Sequence, residues 1–194
     1  MPPGRAGLPP QPVPGYTTTA RVFHWVIAGA VLVQIPAGVL MTSEPLVAVQ
    51  DPIYILHKGL GSVLLVLVAL RLLWRLTHRP PPFPAYMPTL EQRIAGATHV
   101  AIYVALVVQV VSGYVRTVGD GFPIELLDLL GIPPLIPPMP SVAQVALVVH
   151  QVTVLVLLAL VAVHVSAVLR YHLIDRRPVL ARMWPPFGGR ASQR

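Results

Sequence analysis

Four apolar runs dominate this chain, and they cannot rest in water. They cover about residues 22–41, 56–76, 94–115 and 142–171. Each approaches or exceeds the roughly 20 helical residues that cross a bilayer core about 30 Å thick. In hydrocarbon every backbone N–H and C=O must be satisfied inside the protein, which makes each such run a helix. Only 11% of the 194 residues are charged and 55% are hydrophobic, against roughly 25% charged in a soluble domain. The expected fold is all-α: an integral membrane, up-down-up-down four-helix bundle in one domain, surrounded by membrane lipid.

The segments between the runs set the boundaries. Residues 1–20, MPPGRAGLPPQPVPGYTTTA, form a Pro/Gly-rich tail expected to be flexible. Residues 21–185 make the membrane domain, and 186–194 a basic C-terminal tail. The first run is too long for a signal-peptide core and lacks a small-residue cleavage site, so it reads as an uncleaved helix. Pro36 lies in its outer half, where a kink is tolerable if neighbours satisfy the freed carbonyl. Thr77–Glu91, THRPPPFPAYMPTLE, is a stiff extended linker. Arg116–Ser141 contains IELLDLLGI, a short interfacial helix, before PPLIPPMP ends it. No internal repeat stands out along the chain.

Charge gives orientation. The net charge of +7 does not signal nucleic acid, because the basic residues gather at the ends of the apolar runs. Arg71, Arg75, Arg79, Arg93 and the C-terminal arginines lie on one side. Lys58 and Arg116 lie on the other, among acidic residues. Both termini are therefore expected to be cytoplasmic. The absence of cysteine excludes disulfides, cysteine-ligated iron–sulfur clusters and covalently attached c-type haem.

Four histidines then fall at two depths. His24 opens the first run, at the inner side. His57 opens the second, at the outer side. His150 opens the fourth at the outer level, and His164 follows fourteen residues later, about 21 Å deeper and almost four turns round. The levels pair His57 with His150 and His24 with His164. Ionisable groups at membrane depth are costly and functional by default, and imidazole is a common ligand of haem iron. Two such pairs suggest two haems and a path for electrons. A zinc or copper transporter is the alternative, weakened because the pairs lie some 20 Å apart with no Asp, Glu or Cys nearby. Small residues such as Gly29, Gly59, Gly61 and Ala162 suit a flat macrocycle. Arg71, fourteen residues after His57, either meets a haem propionate or snorkels to the interface. Arg116 has a similar pair of readings. His99 competes with His24 as partner of His164, whereas His172 and His78 read as interfacial and solvated.

Four segments carry a family resemblance: RVFHW, HKGLGSVLLVLVALRLLWRLTHRPP, HVAIYVALVVQVVSGY and HQVTVLVLLALVAVHVSAVLRYHLIDRRPVLARMWP. Over about Tyr16 to Pro185 the chain resembles the bacterial cytochrome b561 family. The resemblance implies a multi-pass protein of the bacterial inner membrane with two haems b. It implies His57 and His150 as outer ligands, His24 and His164 as inner ligands, and none from the third helix. It also implies electron exchange with the quinone/quinol pool, as a quinone-linked oxidoreductase with an unidentified redox partner at the outer face. Superoxide oxidation is one activity among relatives. Others are cytochrome b subunits that anchor a separate redox enzyme, and the short outer loops here favour the stand-alone type.

Overall fold

A computed structural model describes residues 15–184. The expectations for residues 1–14 and for the tail 186–194 fall outside the described residues. Four long helices carry the fold: α1 (Thr18–Leu40), α2 (Gln50–Thr77), α3 (Thr89–Gly119) and α5 (Pro140–Leu169). A one-turn helix, α4 (Glu125–Leu129), sits between α3 and α5. All four long helices have the length and apolarity to cross a membrane, and no strand occurs among the described residues. The all-α membrane bundle read from the sequence is the architecture observed.

The helices begin earlier than the apolar runs. α1 takes in residues 18–20, assigned above to the tail, because the Thr17 hydroxyl accepts from the Ala20 amide at 3.3 Å and caps the first turn. α2 starts six residues before the run. Gln50, Asp51 and Pro52 form its first turn, where proline's missing N–H costs little and a carboxylate meets the positive helix end. Pro88 ends the extended linker and lets α3 start at Thr89. Hydropathy thus located the hydrocarbon-crossing parts, and polar caps extend the helices beyond them. α1 continues through Pro36 to Leu40. Gly121 and Gly131, with φ of 81° and 67°, end α3 and α4. At each end a 6→1 bond, Phe122 N to Thr117 O and Ile132 N to Leu127 O, closes the last turn.

Backbone contact is extensive between α1 and α2, α2 and α3, and above all α3 and α5, but not between α5 and α1 or α2. A mid-level core joins all four helices through Ile27, Leu64, Val68, Ala105, Leu106 and Leu157. Large apolar side chains such as Leu32, Val66, Val104 and Leu155 face outward. Lipid is as apolar as they are, so the helices associate through van der Waals packing rather than through the hydrophobic effect. At the His24 end the chain's last described turn folds back. Arg182 donates to the Pro81 and Pro82 carbonyls, and Trp25 Nε1 donates to Met183 O at 3.0 Å.

At the His57 end α4 is pinned to α2. Lys58 Nζ lies 2.6 Å from Glu125 Oε1 and donates to Pro123 O at 2.9 Å. Gly59 leaves room for Leu126, whose Cβ is 3.5 Å from where a Gly59 side chain would begin. Burial opposes the Glu125 charge, but the hydrogen bond and charge of Lys58 outweigh it and hold the carboxyl below its ordinary range. A carboxylate with a lowered folded pKa stabilises above the unfolded value of about 4.3 and loses that contribution as pH falls through the lowered one. Protection of the α4 amides, taken as exchange relative to the intrinsic rate at each pH, should therefore fall below about pH 4. In Lys58→Met it should already be low at neutral pH. Protection in α4 that ignores both changes would show that the ion pair does not hold it.

Candidate haem-binding site

The histidines paired by depth come together. His24 of α1 and His164 of α5 have ring centroids 6.4 Å apart, with planes at 72°. His57 of α2 and His150 of α5 are 6.2 Å apart, at 81°. Both pairs bridge helices whose backbones do not run in extended contact. Leu157, midway between His150 and His164 on α5, belongs to the buried core that separates the two tiers.

These distances test the fit of a haem iron. Imidazole nitrogens bind metals at about 2 Å, and each ring centre lies about 1 Å behind its nitrogen, so two opposed ligands place their centroids about 6 Å apart. Both pairs meet that span. His57 Nδ1 is buried without a hydrogen-bond partner, a costly state for an imidazole nitrogen unless something coordinates it. The residues fit the group. Among the described residues no three His, Cys, Asp or Glu side chains are grouped to hold a metal ion, and a haem asks the protein for only two.

His99 is the third ring of the His24 tier. Its centroid is 5.3 Å from that of His164, shorter than a shared iron requires, and the rings meet edge to face. Arg71 Nη2 lies 3.3 Å from His24 Nδ1, and Arg71 Nε donates to Tyr103 OH at 3.0 Å. Arginine only donates, so His24 Nδ1 accepts and its proton sits on Nε2. Binding a metal through Nε2 needs the other tautomer, and Arg71 must then release Nδ1. Arg71 also lines a cavity of about 200 Å³ with Arg75, Arg79 and Trp74, a basic setting for carboxylates.

The other tier is ordered by residues that the sequence reading left aside. His150 Nδ1 donates to the Gln109 carbonyl at 2.9 Å, leaving Nε2 as the lone-pair nitrogen. The Gln109 carboxamide donates to that nitrogen at 3.0 Å. Ser112 Oγ donates to the same carbonyl at 3.1 Å and lies 3.3 Å from His150 Nδ1. Gln34 Nε2 donates to the His57 carbonyl at 2.9 Å. Both amides sit inside apolar runs, where a polar residue is itself a signal, so the sequence offered the means to find them. The glycines offered less. A methyl at Gly38 would stand 3.1 Å from His57 Cε1, and one at Gly113 would stand 2.9 Å from His150 Cε1.

Some expectations land elsewhere. Gly59 serves α4, Gly61 faces Gln34 at 3.1 Å, and nothing lies within 4 Å of a side chain built at Gly29. Lys58 is paired with Glu125 and Arg116 with Asp120, so each of these cations is already opposed by a carboxylate. His78 is exposed and stacks on Trp74 at 3.6 Å, and His172 is exposed.

Four apolar helices and family membership together define the class: a multi-pass bacterial membrane protein, a b-type cytochrome that transfers electrons. The family model described as prokaryotic cytochrome b561 matches residues 15–186. Cytochrome b561 homolog 2 of Escherichia coli (strain K12) is 30% identical over 173 residues, covering 87% of this chain and 90% of that protein. The chain belongs to the prokaryotic cytochrome b561 family, which sets it apart from the haem-free transporter considered above.

Ser112 yields a prediction. Its hydroxyl shares the Gln109 carbonyl with His150, so Ser112→Ala removes one competing donor from that oxygen. A stronger Nδ1–H bond makes the ring more electron-rich and would favour the oxidised state of a metal held there. The potential of that tier should fall; a hydrogen-bond change of about 0.5 kcal/mol corresponds to about 20 mV for one electron. Redox titration checks this, and a rise would contradict the role given to Ser112.

Proposed function

We propose that this protein carries electrons across the bacterial inner membrane between the quinone pool and a redox partner at the outer face. Two haems b would be held by His57 and His150 in an outer tier and by His24 and His164 in an inner tier, with both termini cytoplasmic. The observation that carries this reading is the pair of centroid separations, 6.4 and 6.2 Å, each suited to one iron between two imidazoles. The Lys/Arg bias supports the orientation.

Haem b bound in each tier supplies a one-electron iron couple. The chain does the rest. His24, His57, His150 and His164 would hold the two groups, two imidazoles to each, a ligand set that would favour electron transfer over chemistry at the metal. The Gln109 carbonyl fixes the His150 tautomer and raises its basicity. The apolar core around Leu157 keeps water out between the tiers. Arg71, once turned from His24, offers its guanidinium to inner propionates. The stand-alone, quinone-linked form is preferred to a membrane-anchor subunit because the outer connections are short, and superoxide is one electron donor to test there.

Crossed substitutions test the ligand assignment. His24→Ala and His164→Ala should each remove the same spectral component and lower the haem content from two per chain to one. His57→Ala and His150→Ala should each remove the other. His99→Ala should keep both. Loss of the inner component in His99→Ala, with retention in His24→Ala, would move the ligand to α3. Quinol-driven reduction of the purified chain alone separates the stand-alone form from the anchor.

A further inference from the structure

The glycine contacts repeat, and a glutamine stands one helical turn before each glycine. On α1, Gly38 makes room for the His57 ring and Gln34 donates to the His57 main-chain carbonyl; on α3, Gly113 makes room for the His150 ring and Gln109 donates to its Nε2. Gln34 and Gly38 stand four residues apart, as do Gln109 and Gly113. A side chain built at Gly38 would meet His57 Cε1, Nδ1 and Nε2 at 3.1, 3.6 and 4.0 Å. One at Gly113 would meet the same atoms of His150 at 2.9, 3.2 and 3.9 Å. Both glutamines keep a buried Oε1 without a hydrogen-bond partner.

The correspondence extends along the helices. Residues 24–38 align with 99–113 without a gap, matching His24 to His99, Gln34 to Gln109 and Gly38 to Gly113, with six of fifteen residues identical. Residues 57–71 align with 150–164, matching His57 to His150 and Arg71 to His164, with seven of fifteen identical. The core obeys the same pairing: Ile27 with Ile102, Ala30 with Ala105, Leu64 with Leu157 and Val68 with Val161 all belong to it. α1 packs on α2 as α3 packs on α5. The repeat is hidden in the sequence because the second hairpin carries a longer connection, including α4, and so the offset changes from 75 to 93 residues between its two helices.

One position breaks the pattern. The His57–His150 pair is made of equivalent residues, but the equivalent of His164 is Arg71. Beside Arg71 stands His24, at 3.3 Å, as its counterpart His99 stands beside His164. We infer that the bundle is one helical hairpin used twice, that the equivalent glycines Gly38 and Gly113 make the notches that seat the two outer imidazoles, and that Arg71 occupies the inner position equivalent to His164, so that His24 reaches in from α1 as the replacement ligand. His99 is then the matching neighbour of a ligand rather than a ligand. This rests on the two-haem reading above and adds why α1 supplies an inner ligand and α3 none.

A rescue experiment on the purified full chain tests it, with haem per chain and absorption spectrum as readouts. His24→Ala should hold one haem. His24→Ala/Arg71→His should hold two, the restored component being lost again on adding His164→Ala. A double variant that keeps the outer component but holds one haem overturns the inference. The outer component reports that the chain is folded. If the double variant loses all haem, the notches decide. Gly38→Ala and Gly113→Ala should both disturb the outer component and spare the inner one, and a disturbance from only one of them overturns the equivalence. His24→Ala that keeps both haems overturns the ligand assignment itself, and this inference with it.

Discussion

An imidazole in hydrocarbon must be satisfied, and the rest of this protein is arranged around that demand. α5 carries two of them, fourteen residues apart on about one face. It therefore fixes two levels at once, with the buried Leu157 between them. α5 packs along α3, and its histidines cross to α1 and α2, with which it has no extended backbone contact. The bundle is thus tied along one side by close helix packing and across the other by paired rings.

The two tiers answer the demand differently. In the outer tier the neighbouring helices come close to the rings. Gly38 and Gly113 remove the atoms that would collide, and the Gln109 carbonyl accepts a hydrogen bond from His150 Nδ1. In the inner tier a cation stands against His24 and a third imidazole against His164. Two haems held in such unequal settings would differ in potential, since hydrogen bonding and nearby charge are the protein's means of tuning them.

Much of this was legible in the sequence because the bilayer leaves few options. Hydropathy gave four helices, and a spacing of fourteen gave the levels. What remained hidden depends on how each helix is rotated about its axis. Gly59 turns to α4 rather than to a macrocycle, and Gly38 seats a ring from α2, because of packing among helices that no single run encodes. The sequence puts Lys58 and Arg116 among acidic residues without saying which they meet, and the fold pairs them with Glu125 of α4 and with Asp120 one turn further on. The internal repeat escaped because apolar helices resemble one another, and only its contacts single out Gln34, Gly38, Gln109 and Gly113.

The central claim is that four named imidazoles hold two irons, one in each tier. Anomalous diffraction at the iron edge, from crystals of the pigmented protein, measures this most directly. The account predicts two peaks about 20 Å apart along the bundle, one between His24 and His164 and one between His57 and His150. A single peak, or peaks away from these rings, would contradict it.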